Sequence, residues 1–303
     1  MAARQTGLIA VLTLALLSAC SQAVQPGAPA ATRRLVSLVP AATEMLFAIG
    51  AGSQVVGVSS YDRFPPEVSS LPRVGALLDP DTERVLSLRP TLVIVYASQG
   101  EQAARFEAAG IRTYTFKHGG ISAAFNAMRD LGRATGHEAE AMAAIERVTE
   151  QLNAIRRRVS GRPRPRTLLV IGRQPGTLQG IYASGGTGFL HEMLEIAGGV
   201  NVFADVERES VQPSHETLLA RAPEAIVELQ AQASADEGLE RRVWLPLASI
   251  PAVRTGRIAV LSGEYLVVAG PRLAQGTEAL ARALHPGAFG GEEPPVSATA
   301  SSR

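Results

Sequence analysis

Two acids occupy the same place in two matching phrases. Glu83 opens ERVLSLRPTLVIV and Glu216 opens ETLLARAPEAIVEL; in each, Leu follows three places on, Pro seven on and a β-branched residue ten on. A carboxylate in the first turn of a helix favours the macrodipole. It can also form a directional bidentate pair with an arginine of another protein. The other residues with chemical capacity form no catalytic pattern. His118, His137, His191, His215 and His285 have no H-x-x-x-H or H-x-H spacing, so a zinc site has little support. ASGGTGF, Ala183 to Phe189, can offer amides to an anion before a helix. It lacks the Lys-Ser/Thr of a phosphate loop and fits a flexible helix entry better. No G-x-S-x-G elbow, no G-x-G-x-x-G after the first strand and no convincing acid–base pair is present. An enzyme is not expected, and neither a catalytic nor a metal-ligating set is assigned.

The elements that must hold these residues follow from the apolar pattern. The chain has 303 residues, 46% of them hydrophobic, enough for two ordinary cores. Its net charge is +1 and no basic block is interleaved with aromatics, which excludes a nucleic-acid surface. MAARQTGLIAVLTLALLSAC has a basic start, a short apolar run and small residues, the form of an export signal over residues 1–20. Cys20 is the only cysteine, so no internal disulfide can form in the exported chain. Residues 21–33 are a small-residue, Pro-containing tether.

From Leu35 short apolar runs alternate with amphipathic stretches: RLVSLVP, VVGVSS, TLVIVYAS and IRTYTF as strands, with helices between them. That alternation predicts an α/β lobe over 34–136 with a parallel sheet. Residues 137–160 hold one amphipathic helix, with Met142, Ile145, Val148, Leu152, Ile155 and Val159 at steps of three and four. RTLLVIG, EAIVEL and GRIAVLS then restart the alternation, predicting a second lobe over 161–287 and a disordered tail over 288–303. TEMLFAIGAG and HEMLEIAGG share Glu-Met-Leu, as the two acid-led phrases share their frame. The fold class expected is therefore α/β, with two similar Rossmann-like lobes joined by a single long helix.

Nearly the whole mature chain, from about Arg33 to His285, resembles the substrate-binding proteins of metal-chelate ABC importers, which carry cobalamin, ferric siderophores or heme. The matching phrases are RLVSLVPAATEMLFAIGAGSQVVGVSSYDRFPPEV, LRPTLVIV, MLEIAGGVNVF, ETLLARAPEAIV and GPRLAQGTEALARAL. LSAC resembles a lipobox, with Cys20 as the lipidated residue. The resemblance implies a class III periplasmic-binding architecture with a largely preformed cleft, and GVSSY…PPE is most similar to the cobalamin-binding members. It implies Tyr61 as a cleft aromatic, with Ser60 and Pro40 in the same phrase. Tyr265 would partly replace a second aromatic, Arg272 of the GPR phrase would face the cleft, and Arg173 would meet an anionic chelate. Tyr182 would be a wall, stacking or heme-iron residue.

The chain departs from cobalamin-binding relatives in having no Trp in RVGALLDPD, RESVQPSHE or SGEYLVVAGPR; Trp244 fits packing instead. Glu83 and Glu216 would each dock on an arginine pocket of a dimeric permease coupled to ATPase subunits. No cofactor is expected beyond the cobalt- or iron-containing chelate carried as cargo. The expected protein is a monomer leashed by lipid on the periplasmic or cell-surface side of the cytoplasmic membrane. The alternatives within and outside this class are a ferric-siderophore or heme carrier, a metal-ion carrier and a chelate-modifying α/β enzyme.

Overall fold

A computed structural model describes residues 33–77, 79–231 and 237–290. The signal, nearly all of the tether and Cys20 lie outside the described residues. A compact unit begins at Arg33. Its first sheet joins β1 (Leu35–Ser37), β2 (Val55–Val58), β3 (Leu92–Tyr96) and β4 (Arg112–Phe116) in the order β2-β1-β3-β4, with every pair parallel. Parallel strands covered on both faces are near-continuous apolar runs, and in β3 Leu92 to Val95 are all buried. Val36, Val93 and Val95 pack on one face with Phe106, while Leu35, Leu92 and Ile94 pack on the other. The helices are α1 (Pro40–Ala48), α2 (Thr82–Ser87), α3 (Gly100–Ala108) and α4 (Ile121–Thr135).

The connecting helix α5 (Glu138–Val159) has 22 residues, about 33 Å at 1.5 Å per residue. Glu138 and Glu140 lie in its first turn and Arg156, Arg157 and Arg158 in its last, the signs that the macrodipole favours. Its buried stripe is Ala141, Ala144, Ile145, Val148, Leu152, Ile155 and Val159. Met142, placed on that stripe from the sequence, is one residue off it and 47% exposed. One apolar cluster runs without a break from α1 and α4 along α5 to the helices of the second half.

The second sheet is built on β5 (Arg166–Gly172), with β6 (Tyr182–Ser184), β7 (Val200–Asn201), β8 (Ser210–Val211), β9 (Ala225–Gln230) and β10 (Ile258–Ser262). Its order is β10-β9-β5-β6-β8, with β7 also pairing β5. β5, β9 and β10 are parallel and repeat β1, β3 and β4; antiparallel β6 takes the place of β2. The helices are α6 (Phe189–Ile196), α7 (His215–Arg221), α8 (Glu237–Arg242), α9 (Pro251–Arg254) and α10 (Leu273–Leu284). The expected tail boundary is corrected by Pro286–Phe289, which forms a short helical turn. The Phe289 ring lies 4.9 Å from the Arg158 guanidinium and 4.6 Å from that of Arg282.

The repeated acid-led phrases are repeated structure. Asp81 Oδ1 accepts from the Arg84 amide at 2.9 Å to cap α2, and Ser214 Oγ accepts from the Thr217 amide at 3.2 Å to cap α7. At the other end, the Arg34 guanidinium donates to the Leu88 carbonyl at 2.9 and 2.8 Å, and Arg166 Nη2 to the Arg221 carbonyl at 2.7 Å. Arg89 and Ala222, each just before a Pro, take φ of +48° and +44°. They are the only non-glycine residues with positive φ among those described.

Candidate ligand-binding cleft

In an open α/β sheet the carboxyl ends of the strands carry the ligand site. In the first lobe β1 runs into Pro40, half-buried at the start of α1, and β2 into Ser60 and Tyr61. Ser60 is exposed, and Tyr61 is 65% exposed. β3 ends on Tyr96 and β4 leads to His118; their rings stack at 5.2 Å with 8° between planes, and Phe116 packs edge-on to both. Burial, with the nearby Asp62 charge, pushes the Tyr96 phenol up to about 12. Asp62 is wholly buried, and neither carboxylate oxygen has a hydrogen-bond partner of good geometry. Burial raises its pKa, and the Thr43 and Ser59 hydroxyls lie close enough only to temper that shift. Arg73 Nη1 donates instead to the backbone carbonyls of Ser59 and Asp62, at 3.0 and 2.7 Å.

The second lobe meets this wall through Arg272, the residue preceding α10. Arg272 Nε and Nη2 donate to the Glu44 carboxylate of α1 at 2.9 and 2.5 Å. The guanidinium lies 4.0 Å from the Phe64 ring centroid and 5.8 Å from that of Tyr265, which is half-buried after β10. Burial raises the Glu44 pKa while Arg272 opposes the rise. Arg272, expected to face the cleft, thus lies between the lobes with its charge already paired.

Glu192, the counterpart of Glu44 in the Glu-Met-Leu repeat, reaches the opposite way: its Oε2 accepts from the Ile121 amide at the start of α4, at 2.8 Å. The Phe189 amide donates to the Gly119 carbonyl beside it at 3.0 Å. A Cβ on Gly120 would come within 1.9 Å of the Glu192 carboxylate, so this contact requires glycine. Each lobe therefore places an acid at the start of the other lobe's last helix.

Several expectations change. Arg173 offers no free charge to an anionic chelate: its side chain, 4% exposed, pairs with Glu228 at 3.0 Å and also with Glu240. Its Nη1 donates to the Thr177 carbonyl at 3.0 Å. Trp244 is wholly buried, as its context suggested, and its indole N–H donates to Glu228. A cavity of about 380 Å³ opens beside this network at the ends of β5 and β9. A larger concavity, about 630 Å³, is lined mainly by α5 and α10 rather than by strand ends. Tyr182 is 47% exposed and pairs across β6 with Gly172, which puts it on the strand-end rim.

ASGGTGF is neither an anion cradle nor a loose helix entry. Its Gly185, Gly186 and Thr187 amides donate to the Glu209, Val206 and Arg208 carbonyls. Glu83 and Glu216 are exposed in the first turns of α2 and α7. The Ser214 hydroxyl holds the Glu216 carboxyl below the usual range. Leu86 and Leu219, one turn further on, are 38% and 41% exposed. No group of three His, Cys, Asp or Glu residues able to hold a metal occurs among the described residues.

Two α/β lobes, one with a parallel sheet and one with a mixed sheet, joined by one long helix, define a class III periplasmic-binding architecture. The chain belongs to the periplasmic binding protein family, whose match covers residues 35–265. Membership makes it an extracytoplasmic solute-binding protein rather than an enzyme. It is 28% identical over 266 residues to a vitamin B12-binding protein of Yersinia pestis (strain Pestoides F), covering 87% of this chain and 88% of that one. It is 29% identical to the apo periplasmic heme-binding protein RhuT of Roseiflexus sp. RS-1, with a TM-score of 0.71 over 85% of this chain and 99% of that one. The vitamin B12-binding protein BtuF of Vibrio cholerae, 24% identical, shares the fold with a TM-score of 0.70 over 83% of this chain and 96% of that one.

Sequence reasoning missed Glu44, Glu192, Asp62 and the Tyr96–His118 stack. The aligned acid of the Glu-Met-Leu repeat was the available signal for the first two.

Proposed function

We propose that this protein captures a metal chelate between its lobes outside the cytoplasmic membrane and presents it to an ABC importer, with cobalamin or a related corrinoid as cargo. The observation that carries this reading is the aromatic character of the interface: exposed Tyr61, the Tyr96–His118 stack, Phe64 and Tyr265. Such rings supply contact area to a large planar ligand at small entropic cost. The vitamin B12-binding relative, similar over 87% of the chain, favours a corrin. Heme is the second reading, supported by RhuT at comparable identity; a ferric siderophore follows. Cys20 anchors the exported monomer by lipid.

Glu83 and Glu216, each followed by an exposed leucine, dock on the two subunits of a permease dimer. Native mass spectrometry and an absorption spectrum of protein purified from its own cell test the cargo. A corrin mass and spectrum are expected. Heme or siderophore would overturn the corrinoid assignment, and a ligand without metal would overturn the chelate reading.

A further inference from the structure

Arg272 is a cationic side chain at the meeting of the two lobes, yet it does not present a free charge. Two of its nitrogens are held by Glu44, whose side chain is only 4% exposed, and Phe64 covers one face of the guanidinium. The third nitrogen, Nη1, bonds to none of the described residues, and the side chain keeps 17% of its surface open. A guanidinium in this state is a hydrogen-bond donor whose charge is cancelled. It satisfies a neutral acceptor such as an amide carbonyl. A free carboxylate gains less, because it must also approach the Glu44 charge and shed its own water. The neighbouring Arg63 and Arg73 each direct a nitrogen to backbone carbonyls of the Ser59–Asp62 loop. Arg173, on the other lobe, is committed to Glu228, Glu240 and the Thr177 carbonyl.

We infer that Glu44 is a specificity-determining residue: by fixing and neutralising Arg272, it makes the cleft select a chelate rimmed with amides over one rimmed with carboxylates. This rests on the chelate-binding reading above and names the chemistry that the cleft accepts. Glu44 acts through Arg272 rather than by touching the ligand.

The test compares corrinoids that differ only at the rim, dicyanocobinamide with amides and dicyanocobyrinic acid with carboxylates. Hemin and its propionamide form provide the same contrast on a porphyrin. The wild type should prefer the amide form by about tenfold or more, the scale of one charge-assisted contact. Glu44→Gln keeps the shape and removes the charge, and should raise affinity for the acid form by about tenfold, with the gain shrinking as salt rises. Glu44→Gln with Arg272→Met should lose the gain. Melting curves of both variants check that they are folded, and the amide-to-acid ratio is a readout that a merely structural role would leave unchanged. An unchanged ratio in Glu44→Gln, or a shift that survives removal of Arg272, overturns the inference. If only the porphyrins bind, the corrinoid assignment fails while their ratio still decides the role of Glu44. Binding of neither macrocycle overturns both.

Discussion

Replacing Arg173 by Met separates a structural cation from a ligand-binding one. The Arg173 and Glu228 side chains are each 4% exposed, and Glu240 is 12% exposed. Removing one partner of a buried ion pair typically costs about 3–5 kcal/mol, because the other charge is left in a poor solvent. Trp244 would still donate to Glu228, and Glu240 is nearer water, so the lower end applies: about 3 kcal/mol. At about 2–4 °C per kcal/mol for a chain of this size, melting should fall by about 6–12 °C. Chelate affinity should stay within about twofold, since the side chain turns inward to its acids. Circular dichroism melts and a chelate titration on the same sample read both quantities. Adding Glu228→Gln should recover part of the loss, because neutralising both partners costs less than orphaning one. A variant that melts like the wild type but loses its ligand would refute the reasoning and restore Arg173 to the cleft.

Asp62→Asn should raise stability at neutral pH by about 1–3 kcal/mol, because it removes a buried charge that the nearby Thr43 and Ser59 hydroxyls only partly offset. The folded protein holds the Asp62 proton more tightly than the unfolded chain, so the native charge costs stability as pH rises through that raised pKa. The advantage of Asn should therefore fade as melts move from about pH 8 to about pH 4; a gain that grew on acidification would contradict this sign. Tyr61→Ala should weaken chelate binding by about 1–3 kcal/mol while melting stays unchanged, and an unaltered dissociation constant would remove Tyr61 from the wall. Glu83→Ala with Glu216→Ala should leave chelate binding intact and abolish ligand-stimulated transport; wild-type transport would leave these acids only their helix-start role. Cys20→Ser should move the protein from the membrane fraction to the soluble one, and no change in fractionation would exclude the lipid anchor.

The architecture was legible because its signals are local. Parallel strands covered on both faces appear as runs such as Leu92 to Val95, and the long helix announces itself by period. The short strands β6, β7 and β8 escaped because two or three residues hold too few side chains to show a period, and their pairing is fixed by distant backbone. Met142 was misplaced because small alanines at 141 and 144 carry part of the buried stripe, and a count of large apolar residues passes over them. At the candidate site, the place of Tyr61 just after β2 could be read from its phrase, whereas the orientation of Arg173 could not. Its partners, Glu228 and Glu240, stand 55 and 67 residues away. The sequence shows an arginine after a strand, and only the fold shows which charges reach it first.

The exchange of acids between lobes has a consequence for how the chain can be divided. Glu44 serves the start of α10, and Glu192 the start of α4. Cut in the turn after α5, the chain would yield two fragments, each carrying a helix terminus whose acid lies on the other. Neither half would be a self-sufficient module, yet together they would carry the pieces of a matched joint. The protein is thereby suited to fragment complementation, in which the glutamates would provide mutual recognition and a ligand bound across both halves would add its own binding energy to reassembly.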